Sequence, residues 1–596
     1  MSLIVWLPLN GNLENQGLSN VIVTNNGATV DNNGKIGKCY SFGSSKRITV
    51  SQPANLSTTA ASLSCWVNLS AWGSSYDSLV NLSTGTGWND TRLAFVRNDT
   101  ANRIGFCVAN GSTYNFTVMT SDLPLNTWTH LTGTFDGSTI KIYVNGVLNN
   151  SAATTFNSLV YGSAVLNLGS WSNGNNYPIT GKLNDVRVYS HCLAAKEVKE
   201  LSKGLVLHYR LSGPGQENLI KNSQLKTEWA IGDIQNCNNP TGYNFNNGCL
   251  TITSGTAGNA NNGYGILLRT SDISYVAGEK LTFSVDIKGT GQHIGLWFLG
   301  SDGNWWTGTN FHTYFTQYNN WTRISVTGTV PNNAPRVMLG LHAGLSNNTL
   351  YAKNIKLERG SVPTPWCPNP ADALYSAMGY NNNIEYDCSG YKNNGTKSGA
   401  EMVWDINSPR YTTSYKFIGS GQKISVTKKI VPQLTNATFS VWFYRSDYGS
   451  QPWESLITIA NDPVNNVNNY FEIETKNSST NNTDIRVYNG AGAPVIKTNA
   501  YELNKWTHVA VTLNPTQIKL YVNGELVSTG TSHTLPDKAN YYIGSYISGS
   551  QSFKGNISDA RIYVTELSVE DIAELYHSAV IVDNTGKNYA YEYFEA

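Results

Sequence analysis

A chain of 596 residues is too long for one hydrophobic core and is sized for three or four domains. Charged residues make up only 14% and the net charge is +1, which leaves no basic face for nucleic acid or an anionic membrane. Asn, Ser, Thr and Gly supply the polar surface instead. With 16 Trp and 34 Tyr, this composition suits extracellular or virion β-structure that touches neutral sugars.

The opening Met-Ser-Leu-Ile-Val-Trp-Leu-Pro-Leu lacks a basic region, a long apolar run and a cleavage site, so it does not read as a secretory signal. No stretch approaches 18 apolar residues, so nothing is expected to span a bilayer. Short strand patterns fill the chain. Ile140–Val144 runs into Asn145-Gly146 and a second apolar pair, the signal of a type I′ hairpin whose two turn residues need positive φ. Leu193–Leu201 reads as a helix.

Directly after it, Leu205–Gly213 (LVLHYRLSG) echoes Leu3–Gly11 (LIVWLPLNG). The turn-rich piece that should follow, like Asn15–Asn20, returns only at Asp387–Asn394. The block between opens with Asn218–Ser223 and leaves through the Pro-rich Pro363–Pro368. We read residues 214–372 as a module inserted after the first strand of a later domain, an arrangement tolerated where loop ends lie close together. The plainer alternative is three domains in a row, with 205–213 a stray strand.

Ile518–Val522 with Asn523-Gly524 repeats the first hairpin. Leu567–Tyr576 repeats the helix, with Ser568 placed to cap it and Glu570 and Asp571 in its first turn. Residues 580–596 read as a hairpin or tail. It either pairs with another chain, such as another virion protein, or docks on the preceding domain.

Blocks in one order occur twice. LNTWTHLTGTFDGSTIKIYVNGVL (125–148) returns as LNKWTHVAVTLNPTQIKLYVNGEL (503–526), and GKLNDVRVY (181–189) as GNISDARIY (555–563). Trp66 matches Trp442. One fold is used twice, with loop differences. The fold class is therefore all-β, three antiparallel β-sandwiches with few short helices. The domains are 1–203, 214–372, and 204–213 plus 373–579, followed by the 580–596 tail.

The eight Cys form no C-x-x-C and read as reduced and buried. Cys237 and Cys249 alone are close enough in sequence for a disulfide to be considered. Glu472-Ile473-Glu474 places two acids on one strand face. The first copy has no acids there, so they read as a solvated face rather than a catalytic pair. His130 and His508 read as structural. Asp185/Arg187 and Asp559/Arg561 read as ion pairs that serve the fold.

Sugars call for flat aromatic faces beside amides or carboxylates. The richest stretch is Leu296–Trp321. There Trp305, Trp306 and His312 lie among Gly and Asn, where stacking residues would be exposed, and Asp302, Asn304 and Asn310 could hydrogen-bond. Trp297, Phe298 and Trp321 read as core. Trp72, Tyr76, Trp88 and Trp171 in the first copy, and Trp453 and Tyr546 in the second, occupy comparable loops.

The Trp-Thr-His block, the Tyr-Val-Asn-Gly hairpin, the Gly-x-Leu/Ile-x-Asp-x-Arg strand and the terminal helix together resemble laminin-G-like, concanavalin-A-like jelly rolls. The insert resembles carbohydrate-binding-module jelly rolls through Asn218–Ser223, Asn320–Arg323 and Asn354–Gly360. Its closing phrase through Trp366 is similar to phage tail and other virion proteins. These resemblances imply sandwiches with ligand loops at a rim or on a concave sheet. Calcium is common in such families, and Asp136-Gly137, Asn89-Asp90 and Asp286 are the candidates for a structural ion, with no dense ligand run. No other cofactor is expected.

The reading that follows is a non-enzymatic virion protein of a phage tail, fibre or capsid appendage, made in the host cytoplasm and displaying glycan-binding modules. Its expected partners are glycans, other virion proteins and further copies of itself. A ligand-free structural decoration and a cell-surface glycan hydrolase are the rivals.

Overall fold

The period-two alternation of β-branched and aromatic residues folds as strands throughout, and the structure is all-β, built from antiparallel sheets. This computed structural model describes residues 3–577 except 98–100, 172–175, 212–217, 221–233, 238–241, 247, 255–263, 271–276, 300–304, 333–335, 345–347, 361–362, 364–383, 386, 405–407, 409–412, 428–429, 431–435, 449–451, 461–469, 477–481, 489–491 and 533–539. The 580–596 tail thus lies outside the described residues.

Six sheets pack as three pairs. In the first pair, Ala61–Ala71 lies between Thr129–Phe135 and Thr180–Tyr189 at the centre of an eight-stranded sheet. The facing seven-stranded sheet runs Tyr114–Val118, Ile104–Ala109, Thr91–Arg97, Ser78–Ser83, Val165–Leu168, Arg47–Val50, Val23–Asn26. Leu63, Leu131 and Phe135 from one sheet meet Leu82, Phe95 and Phe106 from the other in a single core.

The last pair repeats this plan, with Ala437–Tyr444 between Trp506–Leu513 and Lys554–Tyr563. Leu3–Leu7 pairs with Thr180–Tyr189, setting Trp6 opposite Arg187. Leu205–Tyr209 pairs with Lys554–Tyr563, setting His208 opposite Arg561. Two five-stranded sheets built from residues between Ile234 and Arg359 carry their own core, including Leu296, Phe298, Leu339 and Leu341.

The repeated signatures do the same work in both copies. Asn145 and Gly146 take φ of 49° and 83°, Asn523 and Gly524 take 51° and 85°, as the hairpin turn demands. Each Asn also accepts the backbone N–H of the repeated histidine: His130 N to Asn145 Oδ1 at 2.9 Å, His508 N to Asn523 Oδ1 at 2.9 Å. Both imidazoles are fully buried and meet a serine, Ser64 at 3.0 Å and Ser440 at 2.8 Å. They are structural. Asn145→Ala puts a Cβ-restricted residue in the left-handed region and removes an acceptor. It should cost about 1–2 kcal/mol, read as a lowered midpoint in thermal unfolding.

The helices are Ala195–Lys203 and Val569–His577. Ser568 Oγ accepts the Asp571 N–H at 3.1 Å and caps the second. The two helices meet across the joint between the outer sandwiches. Lys203, 5% exposed, sits among Glu200 (2.6 Å), Asp571 (3.4 Å) and Glu574 (3.5 Å), and Lys199 adds a bridge to Asp571 at 2.7 Å. Beside them the core of the last sandwich takes in Trp6, Ile36 and Trp66 from the first.

Cys39, Cys65 and Cys107 are buried free thiols, and Cys249 is a half-buried free thiol, not a disulfide partner. Among the described residues no helix is long and apolar enough to cross a membrane.

Candidate functional site

In each outer sandwich, the sheet facing away from the repeated motifs carries an outward row of side chains that the core does not use. In the first copy the register sets Thr49, Asn167, Asn81, Ala94, Cys107 and Phe116 side by side across six strands. Ala94, Val96 and Cys107 make an apolar floor under Trp171, which is only 2% exposed. Trp88, in the short 3-10 turn Trp88–Asp90, stands edge-on to Trp171 at 4.7 Å and stacks on Tyr114 at 5.5 Å. Tyr76 packs against both Trp88 (5.8 Å) and Tyr177 (5.5 Å). Tyr114 and Tyr177 are exposed.

Three of the sequence candidates, Tyr76, Trp88 and Trp171, therefore converge in one aromatic basket. The fourth, Trp72, does not join it. It packs on the core with the Arg97 guanidinium over its ring at 4.8 Å, and Arg97 is tied to Ser74 O at 2.8 Å and Asn102 Oδ1 at 2.9 Å.

Beside the basket lie polar atoms without partners. Asn81 is fully buried, and neither its Oδ1 nor its Nδ2 has a hydrogen-bond partner among the described residues. The same holds for Asn167 Oδ1, Ser83 Oγ, Ser170 Oγ and Trp171 Nε1. Leaving a buried polar group unpaired costs about 1–3 kcal/mol each, so such a group calls for a ligand or water. The side chains that a sequence search misses here are Asn81 and Asn167. Only the register, Asn167 opposite Asn81, brings them together.

In the second copy the equivalent row reads Ser425, Tyr542, Thr458, Glu472, Tyr488. Glu472 and Glu474 stand where the first copy has Ala94 and Val96. They are 1% and 0% exposed, which overturns their reading as a solvated face. Arg486 Nε donates to Glu474 Oε2 at 2.5 Å. Glu472 Oε1 accepts Ser455 Oγ at 2.5 Å and Thr458 Oγ1 at 2.9 Å. Burial first, and the neighbouring Glu474 second, push the Glu472 carboxyl up to about 8. Burial also raises Glu474, against the pull of Arg486.

Tyr470 stacks on Tyr488 at 4.9 Å and meets Tyr546 at 5.3 Å, so Tyr546 belongs to this face. Trp453 lies nearby, its ring 3.8 Å from the Arg486 guanidinium.

The middle sandwich departs further from the sequence reading. Trp305, Trp306 and Asn310 lie on the strand Trp305–Tyr314, not in a loop, because the stretch pairs with His293–Leu299. Their side chains, like Asp302 and Asn304 altogether, lie outside the described residues. His312 is half-buried in a cluster on the outward sheet face, 4.7 Å from His293 and 5.1 Å from Trp297. Phe298 is core. Trp297 is buried too, at 6% exposed, but on the opposite sheet face from Leu296 and Phe298, where it folds over Gly295 and a Cβ would lie 2.1 Å from the ring. Trp321 is 40% exposed under the Lys353 ammonium at 4.2 Å and is not core.

The calcium candidates are engaged in the fold. Asp136 Oδ1 accepts Ser138 N and Thr139 N, Asp90 Oδ2 accepts Gly87 N, and Asp286 binds Arg323 and Asn354. Among the described residues no group of three or more metal-ligating side chains is assembled.

Residues 42–199 and 419–573, together more than half of the chain, match the laminin-G-type family model of the concanavalin A-like lectin/glucanases superfamily. The chain belongs to this superfamily. The two matched segments lie in the two outer sandwiches, and each contains its outward row.

Among solved structures, domain 4 of the extracellular arabinanase AbnA from Geobacillus stearothermophilus, in complex with arabinotriose, is 21% identical and covers 34% of this chain and 98% of its own, with a TM-score of 0.28. The binding domain of botulinum neurotoxin DC in complex with SialylT is 12% identical over 57% of this chain and 98% of its own, TM-score 0.29. The Ruminococcus gnavus IT-sialidase CBM40 bound to α2,3 sialyllactose is 18% identical over 27% and 96%, TM-score 0.24. These likenesses concern the fold alone. A comparison with curated proteins gives no match.

Proposed function

We propose that this lectin-type chain is a non-catalytic glycan-binding protein of a virion, a phage tail, fibre or capsid appendage that adheres to host-surface or mucosal carbohydrate. The observation that supports binding is the basket of Tyr76, Trp88, Trp171, Tyr114 and Tyr177 beside the unpaired Asn81 amide and the unpaired Asn167 Oδ1. Aromatic faces take the C–H patches of a sugar ring and the amides take its hydroxyls. We propose further that residues 214–372 are a guest within a second lectin-type sandwich (204–213 plus 373–579), and that the 580–596 tail engages other virion proteins or further copies of this chain. The virion setting rests on the charge-poor composition and on the closing phrase of the insert.

A glycan array with the full chain, followed by calorimetry on the best binder, tests this reading. Trp88→Ala should weaken binding about two- to twelvefold, since a stacked ring contributes about 0.5–1.5 kcal/mol. An array with no binder would favour a ligand-free decoration, and reducing-sugar release would favour a hydrolase. Immunogold labelling of particles would place the chain on a virion or off it.

A further inference from the structure

The two outer sandwiches present one row in two chemistries. Where the first has Ala94, Val96 and Cys107, the second has Glu472, Glu474 and Tyr488. The fold does not require acids there, because the first copy builds the same sheet without them. Burying two carboxyls without need is expensive. One is balanced: Glu474 is held by Arg486 and receives a longer bond from Gln551 Nε2 at 3.4 Å. The other is not. Glu472 has two hydroxyl donors on Oε1, and its Oε2 takes no hydrogen bond from a described residue, although the side chain is 1% exposed.

Beside this carboxyl stand three tyrosine rings, Tyr470, Tyr488 and Tyr546, mutually packed at 4.9 and 5.3 Å and each partly accessible. A carboxylate framed by aromatic faces is the chemistry that receives an ammonium group: the ring faces attract the cation and the carboxylate neutralises it. A neutral hydroxyl would leave the carboxyl protonated and gain nothing from its charge.

We infer that the outward face of the C-terminal sandwich binds a sugar unit bearing a free ammonium group, seated on Glu472 and walled by Tyr470, Tyr488 and Tyr546, whereas the first face takes neutral sugars. The inference rests on the glycan-binding reading only in assigning the ammonium to a sugar. Binding is proton-linked. The buried Glu472 carboxyl gives up its proton to the solvent buffer as the cation arrives, and a neutral sugar would displace none. The other charged or titratable groups around it are Glu474 on its own strand, Arg486 and Tyr488 on the next, Tyr542 and, beyond it, Lys423, and Tyr546 and Tyr470 in the wall. Lys423 is turned away, donating to Ile547 O at 2.7 Å.

The experiment is calorimetry of the full chain near pH 7, in two buffers of different ionisation enthalpy, with a β-1,4-linked glucosamine oligomer, its N-acetylated counterpart and ethanolamine. The amine oligomer should bind at least tenfold tighter than the acetylated one to this face with a net proton release of less than one, because part of its amine is neutral near pH 7 and takes up a proton on binding; ethanolamine, fully protonated there, should release close to one where it binds. Glu472→Gln should abolish the preference and the proton release while leaving the Trp88-dependent binding of neutral glycans intact. Glu472→Ala, the residue the first copy already carries, guards against a folding defect, with circular dichroism as the check.

Equal affinity for the two oligomers, or proton release unchanged in both variants, overturns the inference while leaving the wider reading standing. Ethanolamine releasing a proton at Glu472 when no glycan binds would keep the cation site and sink the sugar. No response to any of the three probes overturns the site altogether.

Discussion

Asp185→Ala is expected to cost about 3–5 kcal/mol, the largest effect of any single change considered, because it strips a buried cation of its counter-ion. Asp185 Oδ1 accepts Trp6 Nε1 at 2.7 Å, and its two oxygens take Arg187 Nε at 3.0 and 3.2 Å. The pair is 5% and 2% exposed. The Arg187 guanidinium also lies 4.4 Å over the Trp6 ring and donates to Tyr391 Oη at 3.1 Å, so the site ties the first sandwich to a segment beyond the middle one. Asp185 further occupies φ 52°, a conformation that Asp and Asn adopt more readily than Ala.

The equivalent Asp559 binds His208 at 2.8 Å and Arg561 at 2.8 Å, but Arg561 is 15% exposed and water can take over part of its solvation. Asp559→Ala should therefore cost less. Asp185→Ala combined with Arg187→Met should recover part of the loss, since it removes the orphaned charge. Urea unfolding followed by tryptophan fluorescence checks all three. Equal losses at the two aspartates would show that burial does not set the difference.

The same aspartates show what the sequence made legible. Their spacing from Arg, repeated in both copies, pointed to ion pairs that serve the fold, and both pairs are there. The Asn-Gly turns, the cap at Ser568 and the structural histidines were readable because each is a local rule with one geometric solution. The faces were not readable in that way. Glu472 and Glu474 alternate with Ile473, which in one strand reads as acid-out, apolar-in. Around Glu472 stand Tyr470 on its own strand, Tyr488 brought beside it by strand register and Tyr546 from beyond the strand Asn540–Ile543, and the last two are invisible in the local pattern. Trp297 read as core and is buried, but which sheet face it takes was not legible, because Ile294–Phe298 is buried on both faces and its period-two signal vanishes. Trp305 and Trp306 sit among Gly and Asn, which favour turns, yet pairing with the neighbouring strand overrides local preference. Asn81 and Asn167 carry no signal at all until their strands meet.

Stability should trace a dome with pH, and the buried groups fix the sign of each limb. Glu472 and Glu385 are held up at about 8 and about 7 in the fold by burial, against an ordinary value of 4.5. Between 4.5 and those values the folded chain holds protons that the unfolded chain has released. Their contribution is therefore complete below pH 4.5 and is lost as the pH rises through 7 to 8, at a slope on the order of 1 kcal/mol per pH unit for each group.

The histidines act in the opposite sense. Burial, aided by Arg187, holds His130 down at about 3. Burial, aided by Arg561 and opposed by Asp559, holds His208 at about 4. Below 6.5 the unfolded chain takes up protons that these rings refuse, so stability falls as the pH drops. His293, held at about 3 by burial and by His342 and His312, adds a smaller share because it is only partly buried. The carboxyls of Glu197 and Asp571, depressed by their partners against the effect of burial, steepen the acid limb. The two sets oppose each other between about 4.5 and 6.5, so the profile should be broad there, fall below it and slope down again towards pH 8. Thermal midpoints measured from pH 4 to 9 test the shape. Glu472→Gln should flatten the alkaline limb without touching the acid one, and an alkaline limb unchanged in that variant would mean that Glu472 is ionised in the fold.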